Sequence, residues 1–224
     1  MRIKELTLYT DKLQAQKQFH KSVYGIGFIE ENDEYFSFQI GWTKLTFKQS
    51  KEPHIYHYCY LIPSNKLESA IDWLHGKVDL IETDGTVIHD HDHWNAKAIY
   101  FYDGAGNIVE FIARFDIDNA TNGDFSYDEI LCVNEMGAAS NNPKTLSTYL
   151  ENNIKTIIWK GDLDRFATNG NQEGMFLLVN NEVKAKWYPT DLFPESAPFE
   201  AQVLNEGQMF QISFDGQEFK LLNC

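Results

Sequence analysis

Hydrophobic and polar positions alternate in short runs along most of the 224 residues, a pattern typical of β-strands with one buried face. Residues 3–10 alternate in this way and are rich in β-forming side chains. A helical pattern follows, with Leu13, Phe19 and Val23 on one face. Gly25 suits the left-handed position that ends a helix. Three more strand-like runs occur at residues 28–31, 35–40 and 43–49. The start of the chain therefore predicts a βαβββ unit.

The same order repeats in the next part of the chain. Residues 55–62 predict a strand, Ser64 is a candidate cap for a helix, and Gly76 would end that helix. Two short strands follow, at residues 78–83 and 86–89. A hairpin over residues 97–114 closes the unit, with D-G-A-G-N as its turn. Agreement in element order and helix length is stronger evidence for a repeat than any single element.

A polar, turn-rich stretch then interrupts the repeat. We therefore predict one domain over residues 1–114 and a second over residues 126–224. In the second domain a helix begins at Asn142, whose side chain can cap it, and Pro143 suits its first position. Strands are predicted at residues 129–136, 156–159, 175–179, 184–188, 199–204, 208–214 and 218–222. This order indicates a third βαβββ unit and a partial fourth that has lost its helix.

The composition excludes several classes of partner. The net charge is −14, and the sequence has no cluster of Lys and Arg of the kind that binds nucleic acid or an acidic membrane surface. No apolar run reaches the ~18 residues that span a bilayer. The three scattered cysteines, Cys59, Cys132 and Cys224, suit a reducing compartment better than a disulfide framework. The first residues enter a strand pattern at once, so we expect no secretory leader and a cytoplasmic protein.

Glu110 is the most informative single residue. It lies in the middle of the apolar run 108–113, the second strand of the predicted hairpin. A carboxylate buried there without a partner would be costly, so a metal, a cation or a hydrogen-bond donor is expected opposite it. The alternative is a strand at the sheet edge with Glu110 in water.

Four stretches carry a family resemblance. They are L-T-L-Y-T-D-K-L at 6–13, Y-G-I-G-F at 24–28, H-Y-C-Y-L-I-P at 57–63 and I-Y-F-Y-D-G-A-G-N-I-V-E-F at 99–111. These stretches resemble the vicinal oxygen chelate superfamily, the glyoxalase, bleomycin-resistance and extradiol-dioxygenase group. The resemblance covers about residues 1–114, and the later half joins it through the repeat pattern alone. It implies an α+β fold whose paired βαβββ modules form curved mixed sheets around a cavity. In this chain units one and two would enclose that cavity, and a related C-terminal module would follow them. Such tandem units favour a monomer with internal pairing, although a homodimer is compatible.

The resemblance also implies where a ligand would bind. Metal-using members take ligands from the first and fourth strands of each unit, positions that hold Glu5, Lys44, His57 and Glu110 here. A protonated lysine has no lone pair for a metal, so two interpretations stay open. In one, Glu5, His57 and Glu110 hold a divalent ion in a lyase or dioxygenase, with Glu5 or Glu110 as the base. In the other, which Lys44 favours, its ammonium replaces the metal in a binding protein without chemistry.

Further side chains are expected to line the same cavity. Lys44, Tyr9, Cys59 and Tyr100 fall at positions that would face it, with Cys59 as a buried, inert thiol. Trp94 could close over a ligand. Together these residues favour a small aromatic or oxygen-chelating molecule as the partner.

A histidine cluster precedes the hairpin. His89, His91 and His93 would share a face if this segment were extended, and they could then bind a transition metal. The alternative is a solvated loop at the mouth of the cavity.

Overall fold

The computed structural model describes residues 1–222, so Cys224 lies outside the described residues. Within them the predicted α+β class is confirmed. Unit one contains β1 (Arg2–Thr10), α1 (Leu13–Phe19), β2 (Glu30–Glu31), β3 (Tyr35–Ile40) and β4 (Thr43–Gln49). Unit two contains β5 (His57–Ile62), α2 (Leu67–Leu74), β6 (His89–His91), β7 (Ala96–Tyr102) and β8 (Ile108–Arg114). Unit three contains β9 (Cys132–Ser140), α3 (Pro143–Ile154), β10 (Ile158–Asp162), β11 (Phe166–Asn171) and β12 (Gly174–Asn180). Unit four consists of β13 (Phe199–Asn205), β14 (Gln208–Phe214) and β15 (Phe219–Leu221).

Local chemistry accounts for the helix boundaries. α1 continues as one wider π-helical turn and ends at Gly25, whose φ of +68° lies in the left-handed region. α3 begins as predicted, with the Asn142 side chain accepting a hydrogen bond from the Thr145 amide at 3.2 Å. α2 begins at Leu67 rather than next to Ser64, because the chain first makes a turn in which the Lys66 amide bonds to the Pro63 carbonyl.

Three segments differ from their predicted structure. In place of strands at 78–83 and 86–89, the chain makes a tight turn through Asp84 and Gly85, both at positive φ, and β6 follows it. The predicted strand at 184–188 is part of an irregular loop, residues 181–198, which we call the 181–198 loop. β11 escaped prediction because its F-A-T-N-G-N sequence is rich in turn-forming residues, although most of the strand is buried.

The units pair in a nested order. One sheet has the order β15-β14-β13-β1-β4-β3-β2 and so joins unit one to unit four. The other has the order β10-β11-β12-β9-β5-β8-β7-β6 and joins unit two to unit three. In both sheets the first strands of the two units lie side by side and antiparallel, β1 beside β13 and β5 beside β9.

The expectation that units one and two enclose one cavity is therefore wrong. Every unit offers the same open edge, its first strand, and a repeat pattern does not say which two edges meet. Each sheet combines strands from both sides of the proposed boundary. The division into domains at 1–114 and 126–224 thus stays a prediction.

Most apolar side chains form one core between the helices and the sheets. A second, smaller cluster lies on the opposite face of the β5–β9 sheet, where alternate residues of each strand point. This second cluster contains Cys59, Tyr100, Leu177 and Trp187. Among residues 1–222, none of the helices combines the length and apolarity that crossing a bilayer requires.

Candidate functional site

A cavity of about 390 Å³ lies on the concave face of the β5–β9 sheet, between units two and three. Its walls come from strands of both units and from the 181–198 loop. The lining side chains are His57, Asp90, His91, Trp94, Tyr100, Glu110, Glu135, Phe166, Leu177, Lys184, Trp187 and Tyr188. Polar groups are concentrated at the floor, and aromatic rings form most of the walls.

The polar side chains at the floor of the cavity lie on three neighbouring strands. Cys59 of β5 lies directly beside Glu110 of β8 on one side and Glu135 of β9 on the other. His57 precedes Cys59 by two residues, so its side chain projects from the same face. The His57 Nε2 lies 3.0 Å from the Glu110 Oε2, and both residues are buried. This arrangement satisfies the sequence prediction that Glu110 has a partner opposite it.

The floor repeats the internal symmetry of the two units. Glu135 on β9 is equivalent to His57 on β5. In the parallel pair of β9 and β12, Glu135 lies opposite Met175, and in the parallel pair of β5 and β8, His57 lies opposite Ile108. Two residues further along, β8 carries Glu110 and β12 carries Leu177. The four equivalent positions therefore hold one imidazole, two carboxylates and one leucine. Sequence reasoning missed Glu135, although a lone carboxylate within an apolar strand is the signal that identified Glu110.

Arg114 is a fully buried cation at the edge of this floor. Its guanidinium forms an ion pair with Glu135, and its Nε donates to the Asn134 Oδ1 at 3.0 Å. The Trp94 and Trp159 rings lie 5.5 and 5.4 Å from it, within cation–π range. Arg114 thus compensates one carboxylate from within the protein, the role that the sequence assigned to Lys44.

Burial sets the protonation of the floor. Burial and the adjacent Glu110 charge raise the pKa of Glu135 to about 7, although Arg114 opposes the shift. Burial also raises the pKa of Glu110 and lowers the pKa of His57 to about 4. Near neutral pH the imidazole is therefore uncharged, and Glu135 exchanges its proton within the physiological range.

The donor set at the floor fits a divalent cation. Ligand atoms of Cys59, Glu110 and Glu135 all lie within 4.8 Å of one another, and the His57 Nε2 adjoins Glu110. The His57 Nδ1 is buried and without a partner among the described atoms, so it could carry the ring proton if Nε2 bound an ion. One imidazole and two carboxylates form a chemically reasonable set, and Leu177 leaves the fourth position without a protein donor. Burial keeps the pKa of Cys59 high, so its thiol is the weakest of these donors.

Aromatic side chains build the walls above this floor. The Trp187 ring packs edge-on against the His57 ring, with 4.9 Å between centroids. The Tyr100 hydroxyl lies 2.8 Å from the His91 Nε2, and the Tyr188 hydroxyl lies 2.8 Å from the His89 Nδ1. The walls can therefore stack on a planar molecule and also offer it hydroxyl and imidazole groups.

The structure brings together only some of the side chains singled out in the sequence. His57, Glu110, Tyr100 and Trp94 line the cavity, and Cys59 lies against its floor. Glu135, Arg114, Lys184 and Trp187 join them without having been singled out.

Glu5, Lys44 and Tyr9 belong to the other sheet. Glu5 and Lys44 are neighbours on β1 and β4, as the strand register predicted, but they do not meet His57 or Glu110. The Lys44 ammonium lies 3.8 Å from Glu30, and the Tyr9 hydroxyl donates to Glu200 at 2.7 Å. The prediction that Lys44 and Glu110 share one cavity is therefore wrong.

The histidine cluster divides among three environments. His91 lines the cavity, and His89 is buried behind it between Tyr188 and the Ile81 carbonyl. The His93 side chain is exposed, and its carbonyl accepts a hydrogen bond from Lys160. Among the described residues, the three imidazoles therefore do not form a group of possible metal ligands.

Comparison with known proteins gives the fold its context. No protein-family model matches the sequence, and no curated protein matches it significantly. Among solved structures, a putative dioxygenase from Bacillus subtilis subsp. subtilis str. 168 superposes with a TM-score of 0.56 at 18% identity, over 80% of this chain and 64% of its own. A glyoxalase I mutant from Zea mays superposes with a TM-score of 0.54 at 9% identity, over 79% of this chain and 67% of its own. This chain therefore shares the fold of these two structures, and it spans about two thirds of the length of each.

Proposed function

We propose that the cavity between units two and three is a binding site for a small aromatic or oxygen-chelating molecule. The observation that supports this proposal is the arrangement of aromatic walls above a buried, ionisable floor. A volume of about 390 Å³ lies within the range of small-molecule sites. A few polar groups at one end of an otherwise apolar cavity would fix the orientation of such a ligand.

Each part of the site has a role in this proposal. Trp187 and Tyr100 stack against the plane of the ligand and exclude water. The carboxylate of Glu110, oriented by His57, accepts a hydrogen bond from a ligand hydroxyl. Glu135 takes up or releases a proton as the ligand binds, because its pKa lies near 7.

A second candidate function is that of a divalent-metal-dependent lyase or dioxygenase. The observation that favours it is that three of the four symmetry-equivalent positions carry metal-binding side chains. His57, Glu110 and Glu135 would hold the ion, with Glu135 in the place that the sequence gave to Glu5. Such an ion would supply Lewis acidity toward neighbouring oxygens of the ligand. Glu110 or Glu135 would then serve as the base.

Metal analysis and ligand titration test both candidates. Protein purified without added metal or chelator is analysed for bound ions, and catechol is titrated against tryptophan fluorescence before and after EDTA treatment. Catechol suits the test because it is planar and has two adjacent hydroxyls, and Trp94 and Trp187 line the cavity as reporters. Glu110→Gln is the test variant, and Glu5→Gln, in the other sheet, is its matched control.

The outcomes separate the candidates. Quenching that survives EDTA and is lost in Glu110→Gln but kept in Glu5→Gln supports a metal-free binding site. Quenching that requires a stoichiometric ion supports the metal-dependent enzyme. Absence of quenching with and without added Mn²⁺ contradicts both.

A further inference from the structure

We infer that Lys184 is an anion-binding residue of this cavity and that the natural ligand carries a carboxylate or another negatively charged oxygen group. This inference rests on the proposed binding function of the cavity and deepens it by naming the chemical class of the ligand. It also gives the 181–198 loop a role in specificity in addition to covering the site.

The position of Lys184 places a positive charge on the cavity wall. The residue follows β12 by four positions, and its amide is anchored to the Asn180 carbonyl at 2.8 Å. Its ammonium lies over two aromatic rings, 4.5 Å from the centroid of Phe166 and 5.0 Å from that of Trp187. All three side chains line the cavity. The rings therefore hold the ammonium at the wall that a ligand would contact.

Lys184 has no anionic partner within residues 1–222. Neither an ion pair within 4.0 Å nor a side-chain hydrogen bond involves its ammonium in this part of the chain. Lys186, two residues later on the same loop, does form an ion pair, with Asp191. Burial and the nearby charge of Arg165 lower the pKa of Lys184 to about 8, and the charge of Glu110 opposes this shift. A half-buried ammonium without a partner is costly, and an incoming anion would relieve that cost.

The charges around the cavity also set the orientation of the ligand. Glu110 would repel a negative group at the floor, and His57 is uncharged near neutral pH. Lys184 is the one lysine or arginine among the described lining residues, so it supplies the positive charge of the cavity wall. An anionic group is thus directed to Lys184, while a hydroxyl on the same ring reaches Glu110.

Matched pairs of charged and neutral ligands test this inference. Benzoate is compared with benzyl alcohol, and salicylate with 2-hydroxybenzyl alcohol, by quenching of tryptophan fluorescence. Wild-type protein should bind each anion at least about tenfold more tightly than its neutral partner, as expected for one charge-assisted contact. Lys184→Met, which keeps the length of the side chain, should abolish this preference and leave the neutral compounds within about twofold.

Two further variants separate charge from structure. Lys184→Arg restores the charge and should recover the preference for anions. Lys186→Met removes an exposed cation from the same loop and should leave the preference unchanged. Melting curves of all variants report whether the fold is retained.

Each remaining outcome decides the question. Equal binding of charged and neutral compounds by the wild type, or an equal loss of both in Lys184→Met, overturns the inference and leaves the proposed binding function standing. Binding of none of the four compounds overturns the inference and the proposed function together.

Discussion

Within residues 1–222 two sheets are built from repeats of one unit, and the sheet of units two and three carries the cavity with aromatic walls. In the sheet of units one and four, the face that carries Glu5 and Lys44 is open and polar. In the sheet of units two and three, the equivalent face is covered by the 181–198 loop, and Glu110 is 2% exposed. In both sheets the first strand of a unit pairs in parallel with the last strand of that unit, β1 with β4 and β5 with β8, so this framework alone does not make a site. The covering loop makes the difference, because it removes the charged side chains from water. Charged groups that are buried in this way are stable only when they have partners or a shifted pKa.

The largest expected effect comes from removing the buried cation. Arg114→Met leaves Glu135 without its ion-pair partner beside Glu110, and we expect a loss of about 3–5 kcal/mol in the free energy of unfolding. The matched variant in the open sheet is Lys48→Met, which breaks a half-exposed pair with Glu200 and should cost about 1 kcal/mol or less. Urea unfolding of both variants at pH 7.5 measures the difference. Equal losses would show that burial does not distinguish the two sheets.

The free energy of unfolding should depend on pH through Glu135, which lies in the covered sheet. Its pKa is about 7 when folded and about 4.5 when unfolded, so the folded state binds the extra proton between these values. The free energy of unfolding should therefore fall as the pH rises from 4.5 to 7, by about 3 kcal/mol from this group. Glu135→Gln should remove that part of the pH dependence. Urea unfolding of wild type and variant in EDTA, at several pH values, measures it.

His20 in unit one should give the free energy of unfolding the opposite dependence on pH. Burial lowers its pKa to about 4, so below pH 6.5 the unfolded chain binds a proton that the folded chain does not. Its contribution makes the protein lose about 3 kcal/mol as the pH falls from 6.5 to 4. His20→Phe, within an aromatic cluster, should abolish this loss. A variant that keeps the acid sensitivity of the wild type would assign the loss to other groups.

The cover itself can be displaced with a smaller change. A Cβ at Gly137 would lie 2.9 Å from the Trp187 ring and 3.2 Å from the His57 carbonyl, so Gly137→Ala must push the ring away. We expect a loss of about 1–3 kcal/mol in stability and a red shift of tryptophan emission as Trp187 meets water. Gly27→Ala is a control at a glycine where the added Cβ has open space and the backbone is not in the left-handed region. Unchanged emission in Gly137→Ala would mean that the ring accommodates the methyl group without leaving the cavity.

The smallest expected effect lies in the open sheet. Lys44→Met removes a half-exposed charge whose one ion pair within residues 1–222 is with Glu30, at 3.8 Å. We expect a change of less than about 1 kcal/mol in stability and no change in catechol binding or divalent-ion content. A clear change in ligand or ion binding would restore the idea that Lys44 takes part in the site.

The sequence predicted the local structure better than the assembly. The βαβββ order, the alternation that puts Glu5 beside Lys44, and the need for a partner at Glu110 all follow from periodicity and burial cost. The pairing of unit two with unit three does not, because it depends on which open edges meet. Glu135 could have been found by the reasoning applied to Glu110. Lys184 could not, because its loop resembles a strand in sequence and its environment exists only after folding.

The nested pairing of the units also sets an order of events during folding. β5 and β9 are separated by the rest of unit two and a loop, whereas Arg2 of β1 lies opposite Leu204 of β13. Contacts between distant residues form slowly, because a long loop must close first. In a nascent chain the cavity half can therefore assemble while β1 still has an unpaired edge. The start of the chain is then the last part to be completed, and its open strand is the point at which a chaperone or another unfinished chain would bind.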